Sequence, residues 1–148
     1  MIGDRIVGGV AAESPIPWQV SVRQGNWHFC GGTILDETTV MCAAHCFDKG
    51  QSMSGYNIRA GVKDKNDNSG QTIEIANGVW NEEMPYVGNN NDFIILKLSS
   101  TLTFNDNVGP ACLPDPDHAP DATGQTCFVS GWGTLESGMD SRDFDIFF

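Results

Sequence analysis

His45 is the residue of this sequence whose surroundings best suit acid–base chemistry. It ends a run of mostly small and apolar residues over 39–44, and Cys46 follows it at once. A general base works only within hydrogen-bond reach of the proton it removes, so restricted movement favours that role. A histidine beside a bridged cysteine would have that restriction. A lone histidine is more often a packing or surface residue, and the rest of the chain must decide between the two readings.

Asp92 is the acidic residue that could partner the histidine. It stands 47 positions after His45, at the entrance to the apolar run 93–98. An aspartate in this position is usually a turn former, so its type and place alone leave the role open.

Four motifs in this order resemble the trypsin-like (chymotrypsin-fold) serine endopeptidases. They are Ile6–Gly9, Cys30–Gly32, His45 with Cys46, and Asn91–Leu98. The amino-acid sequence of residues 101–114 is similar to that of invertebrate digestive trypsins. The resemblance to the family covers roughly residues 5–138. It implies hydrolysis of peptide bonds by a His–Asp–Ser triad, in which His45 is the general base and Asp92 orients it.

The same resemblance implies two covalent features. Cleavage between Arg5 and Ile6 would activate a zymogen by freeing the Ile6 ammonium to pair with a buried aspartate. A disulfide would join Cys30 to Cys46 and hold the short helical turn that carries the histidine. In the loop-entropy model such a bridge stabilises the fold by about 3 kcal/mol.

The nucleophile of the triad is missing from these residues. No Gly-Asp-Ser-Gly-Gly occurs in the 148 residues, and Ser130, Ser137 and Ser141 lack the glycine-flanked context of an exposed nucleophile. Three hypotheses follow: a truncated serine endopeptidase, inactive alone; a non-catalytic homologue that binds or regulates a partner; or a misassembled product that does not fold stably. We favour the first hypothesis, because the residues before Gly138 match the family closely and the residues after it do not.

Five cysteines are an odd number for a secreted chain. We expect Cys42 to be a buried free thiol rather than a nucleophile, and Cys112 and Cys127 to be unpaired. A metal site is disfavoured because no Cys-x-x-Cys pair stands near paired histidines. The polar segment 63–70 invites a calcium hypothesis, but it lacks the spaced carboxylates of an EF-hand loop. We therefore expect no metal and no cofactor.

Net charge and the family resemblance together indicate which partners and which location to expect. Eight basic against 19 acidic residues give a net charge of −11, which argues against nucleic acid and anionic membranes. No run of eighteen apolar residues is present. The resemblance implies protein or peptide substrates and protein protease inhibitors as partners. It also implies a secreted, extracellular protein, although residues 1–5 do not resemble a signal peptide.

Short alternating runs separated by Gly, Asn and Asp turns predict an all-β fold. We expect one nearly complete six-stranded antiparallel Greek-key barrel and a second barrel that is only begun. Strands are predicted over 18–23, 27–35, 56–60, 71–79 and 93–98, with Ile73, Ile75 and Val79 facing one way and helix confined to 43–47. The predicted divisions are a propeptide remnant (1–5), the first barrel (6–107), a linker (108–125), the start of the second barrel (126–138) and an unmatched tail (139–148).

Overall fold

The computed structural model describes residues 10–81, 91–115, 124 and 126–133. Six strands in these ranges close into an antiparallel barrel, so the all-β prediction is confirmed. The strands are β1 (Gln19–Gln24), β2 (Trp27–Asp36), β3 (Thr39–Cys42), β4 (Tyr56–Ala60), β5 (Gln71–Trp80) and β6 (Ile94–Leu98). A 3₁₀ turn over Ala44–Cys46 is the helical element of the described chain, inside the predicted 43–47. Arg5 and Ile6 lie outside the described residues.

The strand order around the barrel is β1-β2-β3-β6-β5-β4. β3 and β6 are far apart in sequence but pair antiparallel, with Cys42 opposite Ile94. In an antiparallel pair, the end of one strand lies beside the start of the other. The residues that follow β3 and those that precede β6 therefore meet at one end of the barrel.

The barrel interior is filled by branched aliphatic side chains from all six strands. Alternation along β1 turns Val20 and Val22 inward, and a tight turn at Gly25 (φ 58°) leads into β2. The branched aliphatic side chains without solvent exposure are Val20, Val22, Ile34, Val40, Ile58, Ile94 and Leu96, and β5 adds the buried Ile73 and Ile75. This packing makes the barrel a rigid base for the loops at its end.

Two details of the sheet differ from the sequence prediction. The sequence did not locate β3, a strand of only four residues. Val79 was expected to share a face with Ile73 and Ile75, but it is 50% exposed, whereas the two isoleucines are buried. A bulge between Ile75 and Asn77 shifts the register by one residue, and such a shift turns the following side chains to the opposite face.

The segment 126–133 forms no strand, and it contacts the barrel through Ser130 and Trp132, whereas Phe128 and Val129 are exposed. Trp132 is buried with Ala12 and Val62, and its indole N–H donates to the Lys63 carbonyl at 2.8 Å. The start of a second barrel that the sequence predicts over 126–138 stays a prediction, because residues 134–138 lie outside the described residues. No helix in the described ranges is long and apolar enough to cross a membrane.

Candidate active site

His45 and Asp92 meet at the end of the β3–β6 pair. His45 lies three residues after Cys42, where β3 ends, and Asp92 lies two residues before Ile94, where β6 begins. Asn91 adopts a left-handed conformation (φ 57°), which asparagine tolerates better than most residues, and turns the chain into β6. The barrel register thus brings together two residues that are 47 positions apart.

The two oxygens of the Asp92 carboxylate hold His45 at two points. Oδ2 lies 2.6 Å from the imidazole Nδ1, and Oδ1 accepts the backbone N–H of the same residue at 2.8 Å. Because a carboxylate oxygen accepts hydrogen bonds, Nδ1 carries the proton in the neutral ring and Nε2 is left as the basic nitrogen. The His45 side chain is 55% exposed, whereas that of Asp92 is 19% exposed.

The electrostatics of the pair favour an ionised carboxylate. Burial of Asp92 acts to raise its pKa, but the hydrogen bonds from the ring and backbone of His45, the charge of His45 and a bond from the Ala44 backbone outweigh it. The net result is that the pKa of Asp92 lies below its ordinary value. A fixed negative charge at Nδ1 can stabilise an imidazolium that forms when Nε2 takes a proton.

A disulfide and three aromatic rings anchor the turn that carries His45. The expected bridge between Cys30 and Cys46 is present, with a Cα–Cα distance of 6.4 Å. Phe29, Phe47 and Tyr56 pack edge to face with one another, with ring centroids 5.5 to 5.7 Å apart. Since Phe47 directly follows the bridged Cys46, the turn is attached to β2 both covalently and by packing. This aromatic cluster was not predicted from the amino-acid sequence.

Cys42 is a buried free thiol, as predicted. Burial, and to a smaller extent the charge of Asp92, raises the pKa of its thiol to about 12, although a backbone hydrogen bond from Ala43 opposes this. A cysteine nucleophile requires a lowered pKa, so Cys42 does not fit that role at neutral pH.

His28 and Ser130 are engaged elsewhere on the barrel. The His28 Nδ1 lies 2.8 Å from the Ser21 hydroxyl, and burial together with the charges of Lys65 and Arg23 lowers its pKa to about 4. The Ser130 hydroxyl donates to the Gln19 side chain at 2.9 Å. Ser137 and Ser141 lie outside the described residues.

In the described chain, His45 does not belong to a group of three or more potential metal ligands. Within the described residues, three or more potential metal ligands gather only at Cys30, Cys42 and Cys46, and two of those sulfurs are bonded to each other. A small recess of about 190 Å³, bounded in part by Gly61, Gly70 and Asn107, includes neither His45 nor Asp92.

The chain is similar in sequence and in fold to known serine proteases. The family model described as Trypsin matches residues 6–143. Trypsin-1 of Astacus astacus is 39% identical over 147 residues, covering 93% of this chain. Serine protease 1 of Homo sapiens is 37% identical over 144 residues, covering 95% of this chain. Neuropsin, a serine protease expressed in the limbic system of mouse brain, superimposes with a TM-score of 0.82 at 25% identity over 96% of this chain.

The chain spans only part of each of these relatives. It covers 61% of the Astacus protein, 55% of the human protein and 62% of the neuropsin chain.

Proposed function

The chain belongs to the trypsin family of serine proteases, and we propose that it supplies the histidine and aspartate of a peptide-hydrolysing triad. His45 is the general base and Asp92 is the carboxylate that orients it. The observation that carries the proposal is the double engagement of Asp92, with Oδ2 on Nδ1 at 2.6 Å and Oδ1 on the backbone N–H at 2.8 Å. These two hydrogen bonds fix both the orientation of the His45 ring and its tautomer.

The proposed chemistry is the established mechanism of this family. Nε2 of His45 takes the proton of a serine hydroxyl while the serine oxygen attacks the peptide carbonyl carbon. The imidazolium that forms is stabilised by Asp92, and it then protonates the leaving amine. Water, activated by the same nitrogen, hydrolyses the acyl-enzyme. The position of Asp92 serves both the formation and the hydrolysis of the acyl-enzyme, because its carboxylate stays ionised and keeps the Nε2 of His45 free to take a proton.

The setting of the activity is part of the same proposal. The substrates are proteins or peptides, and protein protease inhibitors compete for the site. The protein is secreted, which agrees with the Cys30–Cys46 bridge, since disulfides persist in oxidising compartments. Cleavage between Arg5 and Ile6 activates a zymogen.

The 148 residues do not include the serine nucleophile of the family motif. The 148 residues contain no Gly-Asp-Ser-Gly-Gly, and the Ser130 hydroxyl is bonded to Gln19. A histidine and aspartate without an activated serine have nothing to activate. We therefore expect no amidase activity from the 148-residue chain alone and no labelling by a fluorophosphonate. Stoichiometric labelling would contradict this expectation.

A chimera tests the roles of the pair. Residues up to Gly133, joined to the second barrel of an active relative, should hydrolyse a peptide amide. In that chimera His45→Ala should lower kcat on the order of a millionfold, and Asp92→Asn about ten-thousandfold. Asp48→Asn is the matched control, because its carboxylate is exposed and lies three residues from the histidine. It should leave kcat unchanged.

The non-catalytic alternative predicts a different result. A chimera that folds, keeps the Cys30–Cys46 bridge and binds a protease inhibitor yet has no activity would overturn the catalytic assignment. It would favour a binding or regulatory module, the hypothesis suggested by the absence of a nucleophile.

A further inference from the structure

Three sulfur atoms meet beneath the histidine turn. The Sγ atoms of Cys30, Cys42 and Cys46 all lie within 4.8 Å of one another. Cys30 and Cys46 form the bridge, and Cys42 is a free thiol. A free thiol beside a disulfide has the composition needed for thiol–disulfide exchange, in which a thiolate attacks one sulfur of the bridge and displaces the other.

The Cys42 side chain lies against β2, the strand that carries Cys30. Cys42 lies opposite Gly32 in the β2–β3 register, and its thiol donates to the Gly31 carbonyl at 3.2 Å. The sulfur is therefore held by the residue that directly follows Cys30 in β2. Cys46, in contrast, belongs to the 3₁₀ turn. The geometry favours attack on the sulfur of Cys30.

We propose that Cys42 is an internal exchange partner of the Cys30–Cys46 disulfide, able to move the bridge to Cys30–Cys42 and release Cys46. The Cys42 thiol first loses its proton to solvent. Its thiolate forms a bond to the Cys30 sulfur while the bond between Cys30 and Cys46 breaks. The electron pair of the broken bond leaves on the Cys46 sulfur, which takes up a proton. One disulfide and one thiol are present before and after, so no external oxidant or reductant is needed.

The two isomers differ in what the bridge holds. The Cys30–Cys46 form ties the turn containing His45 to β2. The Cys30–Cys42 form joins two strands that are already paired, so it adds little restraint to the turn. His45 then depends on its bonds to Asp92 and on the packing of Phe47. Exchange would thus loosen the histidine turn without unfolding the barrel.

Burial keeps this exchange slow at neutral pH. Burial, followed by the charge of Asp92, raises the pKa of the Cys42 thiol to about 12, so the reactive thiolate is scarce. Asp92, next to the start of β6, is the charged group that acts on this thiol. The exchange rate should increase about tenfold for each pH unit between 8 and 10, as the thiolate population rises.

The test uses the full chain with Cys112→Ser and Cys127→Ser. Those two thiols are exposed, and removing them leaves Cys42 as the one free thiol beside the intact bridge. The protein is incubated without oxygen at pH 8, 9 and 10, quenched with acid and alkylated with a maleimide under denaturing conditions. Peptide mass mapping then locates the label and the bridge. The expected result is a growing fraction with Cys46 labelled and Cys30 joined to Cys42, at a constant total of one thiol per chain.

Two controls keep the result specific. Cys42→Ser in the same background should retain only the Cys30–Cys46 bridge at every pH. Circular dichroism recorded in parallel shows whether the barrel stays folded during exchange. The proposal is overturned if the label stays on Cys42 at all three pH values, if the new bridge is Cys42–Cys46, or if isomers appear only in urea that unfolds the barrel.

Discussion

Acidification from pH 7.5 to pH 5 should destabilise the barrel through His28. Its Nδ1 lies 2.8 Å from the Ser21 hydroxyl, and its ring packs edge to face on Trp132 at 5.5 Å. Burial is the main cause that lowers its pKa to about 4, and the charges of Lys65 and Arg23 add to it. Protonation would place a further positive charge in a poorly solvated position next to these cations.

The direction of the change in stability with pH follows from how many protons the folded and unfolded states bind. The unfolded histidine titrates near 6.5 and the folded one near 4, so the unfolded state binds more protons between these values. Stability is therefore full above pH 6.5 and is lost as the pH falls towards 4. The full difference between the folded and unfolded pKa values of His28 corresponds to a loss of at most about 3 kcal/mol in the free energy of unfolding, at about 1.4 kcal/mol per pKa unit. At pH 5 the expected loss is about 2 kcal/mol.

Urea unfolding of the wild type and of His28→Gln, at pH 7.5 and pH 5, isolates this contribution. Carboxylates lose their interactions in both proteins, so the wild type should lose about 2 kcal/mol more than the variant. NMR titration of the folded wild type should place the His28 inflection near pH 4. Lys65→Met should move it upward, because one repelling charge is gone. Equal losses in the two proteins, or a His28 inflection near 6.5, would refute the reasoning.

Three further predictions concern the site and the barrel. Asp92→Asn should speed the exchange of the His45 Nδ1 proton with solvent, since the charged acceptor 2.6 Å away is removed; NMR of ¹⁵N-labelled histidine measures it. Gly70→Ala should cost about 1–3 kcal/mol, because its Cβ would lie 2.3 Å from a carbonyl oxygen, whereas Gly109→Ala meets no atom closer than 3.9 Å and should be near neutral in urea unfolding. Ile58→Ala should cost about 2–5 kcal/mol, because the side chain is fully buried; an unchanged urea midpoint would contradict the assigned core.

The amino-acid sequence by itself was enough for the fold class and most of the strands. Alternation and turn residues placed β1, β2, β4, β5 and β6 to within two residues at each end, because side-chain alternation and turn preference are local properties. Family motifs, rather than spacing, singled out His45 and Asp92 and their expected roles. Nothing local to Asp92 distinguishes it from an ordinary turn former.

Tertiary structure decided what depends on strand pairing. Val79 points outward because a bulge against β6 shifts its register, and an interruption of this kind is a property of two strands rather than one. Cys42 lies against the Cys30–Cys46 bridge because β3 pairs with β2, which the sequence could not show for a strand of four residues. The same holds for the second bond of Asp92, to the backbone N–H of His45: it exists because barrel closure sets the end of β3 beside the start of β6.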